Sequence, residues 1–233
     1  LTGTLDLQGG SLLCEGDLIH SNGSLHLNGG SARIVGDYRV MKERVGEDGA
    51  LTWEESPTAY ILMQNSADRL LVEGNFYWAG KDTTTTGNPG FTKGELLLMG
   101  DLDVLYNKSL YLGGELKTVF AGDVMQKLTN RANYSSTTKI SNLEIRNPAG
   151  LLWSGWMHVE KFLPSQGHIY AEELDIYALN LGGNTLTVYG DFTVTGKLSL
   201  GGGSFTAEGN VHLKGTANME GGSVKILGDL IQS

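Results

Sequence analysis

Five carboxylates could carry acid–base chemistry: Glu54, Glu55, Asp82, Glu172 and Glu173. Glycoside cleavage needs two such groups several ångströms apart, one to protonate the leaving oxygen and one to act as base or nucleophile. No pair among the five is held together by its spacing. A second acidic set is periodic: Gly16-Asp17, Gly36-Asp37, Gly74-Asn75, Gly100-Asp101, Gly122-Asp123, Gly190-Asp191, Gly209-Asn210 and Gly228-Asp229. An aligned carboxylate column invites calcium, which takes roughly six to eight oxygen ligands. Here each step offers one carboxylate, and Asn stands in its place at 75 and 210. The reading that fits is an Asp or Asn that caps its own turn through local backbone amides. The expectation is a non-enzyme with no cofactor and no metal.

Aromatic residues are the better hint of binding. Trp53, Tyr60, Tyr77, Tyr134, Trp153 and Trp156 lie in or beside the irregular segments. Exposed rings could stack on a sugar or pack against another chain; alternatively they cover the core where loops fold back over it. His158 and His168 have neither zinc-site spacing nor a nearby cysteine. Cys14 falls in an apolar column without a basic partner, so it reads as a small core residue. His20 falls in the column of Val40 and Val194 and is expected as a capped or partly exposed histidine of an end coil.

The elements that must position these residues are written most clearly at 181–233. There Gly-Asp or Gly-Asn recurs every 19 residues, at Gly190, Gly209 and Gly228. Each repeat holds an apolar-x-apolar triplet, a Gly-Gly pair, a second triplet, the Gly-Asp step and a third triplet. The triplets supply Leu198 and Leu200, Phe205 and Ala207, and Val211 and Leu213. Alternation along a strand sends two apolar residues of each triplet inward and one outward. Three short strands separated by turns make one coil of a three-faced solenoid, and stacking coils builds the core. Glycine meets the positive-φ demand of corners, and at Gly182-Gly183-Asn184 the asparagine is expected to take a left-handed position. The fold class is therefore all-β: a right-handed parallel β-helix of about 19–22 residues per coil, the hand following the rule for parallel crossovers.

The whole chain, 1–233, reads as one solenoid domain with regular coils at 1–43 and 181–233 and loop-bearing coils at 44–180. Leu12 and Cys14, then Ala32 and Ile34, are inward pairs of the first two coils. The polar excursion at 44–69 replaces part of a coil or loops out from one, 80–94 reads as a second loop, and QKLTNRANYSSTTK at 126–139 as a third. The outward triplet residues mix types, with Asp6, His26, Ser199 and Asn218 on one face and Leu13, Arg33, Thr206 and Lys225 on another, so no flat threonine array of the ice-binding kind is expected. Thirty-four glycines against four prolines suit turns without the collagen period. A net charge of −9 argues against nucleic acid or an anionic membrane as partner. No apolar run approaches membrane-spanning length. The chain opens on Leu1 inside a coil, which reads as a segment of something longer.

The pattern GDφxVxGxLxLxGGxφxVxGD, with NLEIRN at Asn142–Asn147, resembles repeats of very large secreted or surface proteins of Gram-positive bacteria. More distantly it is similar to the filamentous-haemagglutinin class of right-handed β-helices. The resemblance covers most of the chain and implies an extracellular scaffold, adhesin or filament, secreted or at the cell surface, with no catalytic residues to carry over. Expected partners are neighbouring solenoid segments or copies of the chain end to end, with surface polysaccharide second. A carbohydrate-binding or carbohydrate-cleaving β-helix using loop aromatics and carboxylates is the alternative.

Overall fold

A computed structural model describes residues 1–83, 90–105, 108–131, 138–155, 157–163, 167–171 and 174–232, with the backbone alone at 157 and 174–178. Among these residues there is no helix, and every strand pairing is parallel except one hairpin. The protein is a parallel β-helix. Its third face is a ten-stranded sheet with one strand per coil, from Leu18–Ile19 and Tyr38–Val40 through Gln126–Asn130 and Leu151–Gly155 to Ser204–Ala207 and Ser223–Ile226. At ~4.8 Å per strand, ten coils stack to a height on the order of 50 Å.

The first and second faces begin as separate strands. Thr4–Asp6, Ser24–His26 and Tyr60–Leu62 lie on the first, and Ser11–Cys14, Ser31–Ile34, Arg69–Val72 and Glu95–Leu98 on the second. In the fifth to ninth coils single long strands turn the corner between these faces: Leu110–Phe120, Thr138–Ile145, Met157–Phe162, Leu174–Asn180 and Phe192–Ser199; in the tenth the faces separate again into Val211–Leu213 and Thr216–Asn218. The corner shows as a register shift within their pairings, between Leu112 and Lys117 for example. Bridges from Met63 to Phe91 and from Phe91 to Leu112 carry the first face across the 80–94 insertion.

Alternation within the strands builds unbroken inward columns. On the third face the register runs Leu18, Tyr38, Phe76, Leu102, Leu128, Trp153, Ala171, Val188, Ala207, Ile226. Tyr38 and Phe76 stack at 5.4 Å between ring centroids, and Phe76 meets Trp78 edge-on at 6.2 Å. Leu12 and Cys14 lie in register with Ala32 and Ile34, and both pack against the core. One buried cluster spans Leu25 to Val211, so the irregular middle shares a core with the regular ends.

The two sets of regular coils are not in phase. Near the N-terminus the Gly-Gly corner joins first face to second, and Gly-Asp joins second to third. In the C-terminal coils Gly-Gly leads into Thr185–Val188 and Ser204–Ala207 on the third face, and Gly-Asp leads into Phe192–Ser199 and Val211–Leu213 on the first. The written repeat has advanced by one face. The expected column of His20, Val40 and Val194 therefore does not exist, because Val194 pairs with Leu213 on the first face. The outward residues sort differently too: Leu13 and Arg33 share a face with Ser199 and Asn218, while Thr206 and Lys225 lie on the third.

Corner chemistry needs two corrections. The left-handed pair is Asn28-Gly29 (φ 46° and 84°) in the second coil and Gly182-Gly183 (54° and 90°) in the eighth. Asn184 follows that pair without a positive φ, and its amide donates to the Leu163 and Leu181 carbonyls. The glycine of Gly-Asp serves a second need, close axial approach. A Cβ on Gly74 would lie 2.5 Å from the Gly36 carbonyl, and one on Gly228 would lie 2.6 Å from the Gly209 oxygen.

The 44–69 excursion divides: Lys42–Val45 and Leu51–Glu54 form a hairpin standing off the second coil, and Tyr60–Leu62 resumes the first face. The expected loop at 126–139 is half strand. Gln126–Asn130 pairs with Leu102–Val104 and Leu151–Gly155, placing Gln126, Leu128 and Asn130 inward. Two polar residues in inward positions disguised it; residues 132–137 lie outside the described set.

Candidate functional site

The Asp and Asn side chains of the turn steps bond along the stack rather than within their own turns. Asp17 Oδ1 accepts the Asp37 N–H (2.8 Å), Asp37 Oδ1 that of Asn75 (2.7 Å), Asn75 Oδ1 that of Asp101 (2.9 Å) and Asp101 Oδ1 that of Lys127 (2.7 Å). A second ladder joins Asp191 to Asn210 (2.8 Å) and Asn210 to Asp229 (3.0 Å). Gly16, Gly36, Gly74 and Gly100 flank the first ladder, and Gly190, Gly209 and Gly228 the second. Asp123 belongs to neither, because Val124 and Met125 intervene before the strand begins at Gln126, and Lys127 takes the ladder position. Buried Gln126 fills that corner: its Oε1 accepts the Gly122 N–H (2.8 Å), and its Nε2 donates to the Leu98 (3.1 Å) and Gly100 (2.5 Å) carbonyls. Asn147, closing the NLEIRN segment, donates to Gln126 Oε1 (3.1 Å).

Asparagine interrupts both ladders for an electrostatic reason, since neighbouring rungs are only ~4.8 Å apart and carboxylates at that distance repel. Arg39 pairs with Asp37 and offsets one such contact. Replacing Asn75 by Asp keeps an acceptor but places four carboxylates in succession, Asp17, Asp37, the new aspartate and Asp101. Asn75→Asp should lower stability by about 1 kcal/mol at pH 7 and low salt, and recover toward wild type in high salt. Thermal melts at low and high salt check this; a deficit unchanged by salt would contradict it.

The candidate contact aromatics separate. Trp153 is fully buried in the third-face column and presents no surface, its indole taking the space beside small Ala171. Trp53, on the hairpin, and Tyr77, on the third face, clasp the Arg39 guanidinium at 4.9 and 4.2 Å from their ring centroids. Tyr60 lies beside the His26 ring and beneath the Lys81 ammonium. Tyr134 and Trp156 lie outside the described residues. An exposed stacked pair escaped the sequence reading: the Tyr170 and Tyr189 rings are parallel at 5.8 Å, and Tyr189 is 47% exposed.

The candidate acid–base residues are not gathered either. Glu54 pairs with Arg44 across the hairpin, Glu55 with the buried ammonium of Lys108 (2.7 Å), and Asp82 accepts the Ser109 N–H (2.8 Å). Glu172 and Glu173 lie outside the described residues. Among those described, no three His, Cys, Asp or Glu side chains converge on one point.

His20 is not partly exposed, as expected, but fully buried one coil before Val40. The Gly23 carbonyl can only accept, so Nε2 carries the proton and donates to it (3.2 Å), leaving Nδ1 to accept the Tyr38 hydroxyl (3.0 Å). Burial lowers its pKa to about 4, against the opposing pull of the Gly23 carbonyl. Below pH 6.5 the unfolded chain takes up this proton before the folded one. Stability should therefore fall as pH drops from about 6.5 and level off below about 4, by on the order of 3 kcal/mol. Urea titrations at pH 7 and 4.5 check this, and His20→Gln should lose less on acidification than wild type.

An open cavity of about 330 Å³ crosses three coils where the first and second faces meet. His158 and Glu160 come from Met157–Phe162, Asn180 from Leu174–Asn180, and Lys197 and Ser199 from Phe192–Ser199; Val159 and Leu179 form its floor. Stacked irregularities open it. Met157 and Val159 oppose Ile176 and Leu179, and a further shift falls between Ile176 and Ala178 in the next pairing. Bulges of this kind interrupt a ladder and re-aim side chains. Glu160 pairs with Lys139 and accepts the Ser141 hydroxyl; burial pushes its pKa up, and these partners outweigh it and hold the carboxyl below its ordinary value. Burial, then the Lys139 ammonium, lower the His158 pKa against the pull of Glu160, so its imidazole is largely neutral at pH 7.

The chain matches no family model, no curated protein and no solved structure.

Proposed function

We propose that this chain is a structural module, a stiff extracellular segment of a rod, fibre or adhesive stalk that works by stacking coil on coil and does not catalyse a reaction. The observation that carries this reading is the unbroken third-face column from Leu18 to Ile226, reinforced at two corners by the Asx ladders. Backbone and side-chain hydrogen bonds both run along the stack, so bending or shearing must disturb many of them together. Neighbouring solenoid segments are the natural axial partners, because strand edges at the end of a stack template another strand. The hairpin at Lys42–Glu54 stands off the side as a lateral contact element. The structural partners held by Glu54, Glu55 and Asp82 favour a scaffold over a carbohydrate-cleaving site.

Electron microscopy of the native material tests the proposal. Straight rods or filaments whose axial repeat is a whole number of ~4.8 Å coils are expected. Isolated compact particles with no axial association would overturn it.

A further inference from the structure

The cavity at Glu160 and Lys197 has a charge arrangement that the scaffold role does not use. Lys139 is committed to Glu160, whereas Lys197, exposed on the neighbouring wall, has no ion-pair partner among the described residues. An unpaired ammonium in a concave site is unusual for a chain of net charge −9. Its neighbours are hydrogen-bonding groups in register: Asn180 opposite Ser199, with Asn218 continuing the row on the next coil. Asn180 Oδ1 accepts the Gly182 N–H (3.1 Å), which fixes the amide and leaves its NH₂ to donate outward. The Ser199 hydroxyl can donate or accept. The volume lies at the lower end of the range for small-molecule sites and suits one or two ring-sized units.

We propose that this cavity binds a hydroxylated carboxylate of the kind an acidic sugar presents, its carboxylate on Lys197 Nζ and its hydroxyls on the Asn180 amide and the Ser199 hydroxyl. Glu160, oriented by Lys139 and Ser141, accepts a further hydroxyl from the opposite wall. The open cavity, spanning three coils, admits a unit within a polymer, so an acidic polysaccharide lying along the stack is the preferred source. The inference does not depend on the scaffold reading, and either can fail alone.

Calorimetric titration of the intact chain with oligogalacturonate, its neutral methyl ester and free galacturonate tests it. Saturable binding of the acidic oligomer is expected, weakened about tenfold or more in Lys197→Met and by added salt, with the methyl ester much weaker. Lys197 is exposed, so this variant should keep the wild-type melting profile. Free galacturonate bound as tightly as the oligomer would support the site and assign it to a small hydroxy acid. Equal binding of acid and ester, unchanged affinity in Lys197→Met, or no binding of any of the three would overturn the proposal.

Discussion

Trp153→Ala should destabilise the cooperative unit around the sixth coil by about 3–5 kcal/mol, the range for removing a large aromatic side chain from a packed interior. Its indole is fully buried between Leu128 and Ala171 in the inward column, and Ala171 cannot expand to fill the space left behind. Trp153→Phe should cost far less. The indole N–H has no hydrogen-bond partner in the structure, so phenylalanine loses volume without orphaning another group. Urea denaturation of the two variants measures the difference. If Trp153 were instead a surface contact residue, Trp153→Ala would leave the midpoint unchanged and remove binding to a partner.

Asp68→Ala should cost about 3 kcal/mol or more. Asp68 is fully buried at the corner between first and second faces in the third coil. Its Oδ1 accepts the Gly29 N–H of the preceding coil (2.6 Å), and its Oδ2 accepts the Gln64 (2.7 Å) and Asn65 (2.9 Å) N–H groups. Truncation leaves three backbone donors of a part-buried corner without their carboxylate acceptor, each worth roughly 1–3 kcal/mol and not strictly additive. Asp68→Asn is the sharper test. One carboxamide group must then point its NH₂ at a backbone donor, so asparagine should be nearly as damaging as alanine. Chemical denaturation showing Asp68→Asn within 0.5 kcal/mol of wild type, on the scale of ordinary surface substitutions, would refute this role.

The coil was legible because its signals are local. Period-2 alternation picked the inward pairs Leu12 and Cys14, and Ala32 and Ile34. The Gly-Asp steps marked real corners, although their side chains reach the next coil and not their own turn. The phase of the second repeat set was not legible. The 68 residues between Gly122 and Gly190 exceed three 19-residue periods by 11, which can be read as loops or as one more strand and corner. Here the surplus carries the motif forward by a face. Asp68 was hidden for a related reason: its bond to Gly29 spans 39 positions, and it sits at the end of a polar excursion where solvated loop was the natural reading. The cavity at Lys197 was invisible because the irregular register that opens it leaves no motif in the chain.

The irregular middle, from Thr138 to Asn180, is stacked as continuously as the regular ends. Amide hydrogen exchange resolved along the chain tests this most directly. Contiguous strong protection is expected in the strands of all three faces from Ser24–His26 through Thr138–Ile145 and Leu151–Gly155 to Val211–Leu213, and, among the strands of the described residues, fast exchange only in the hairpin and the end coils. Two protected blocks separated by a freely exchanging middle would contradict it, and would make the chain two short solenoids on a tether instead of one stiff rod.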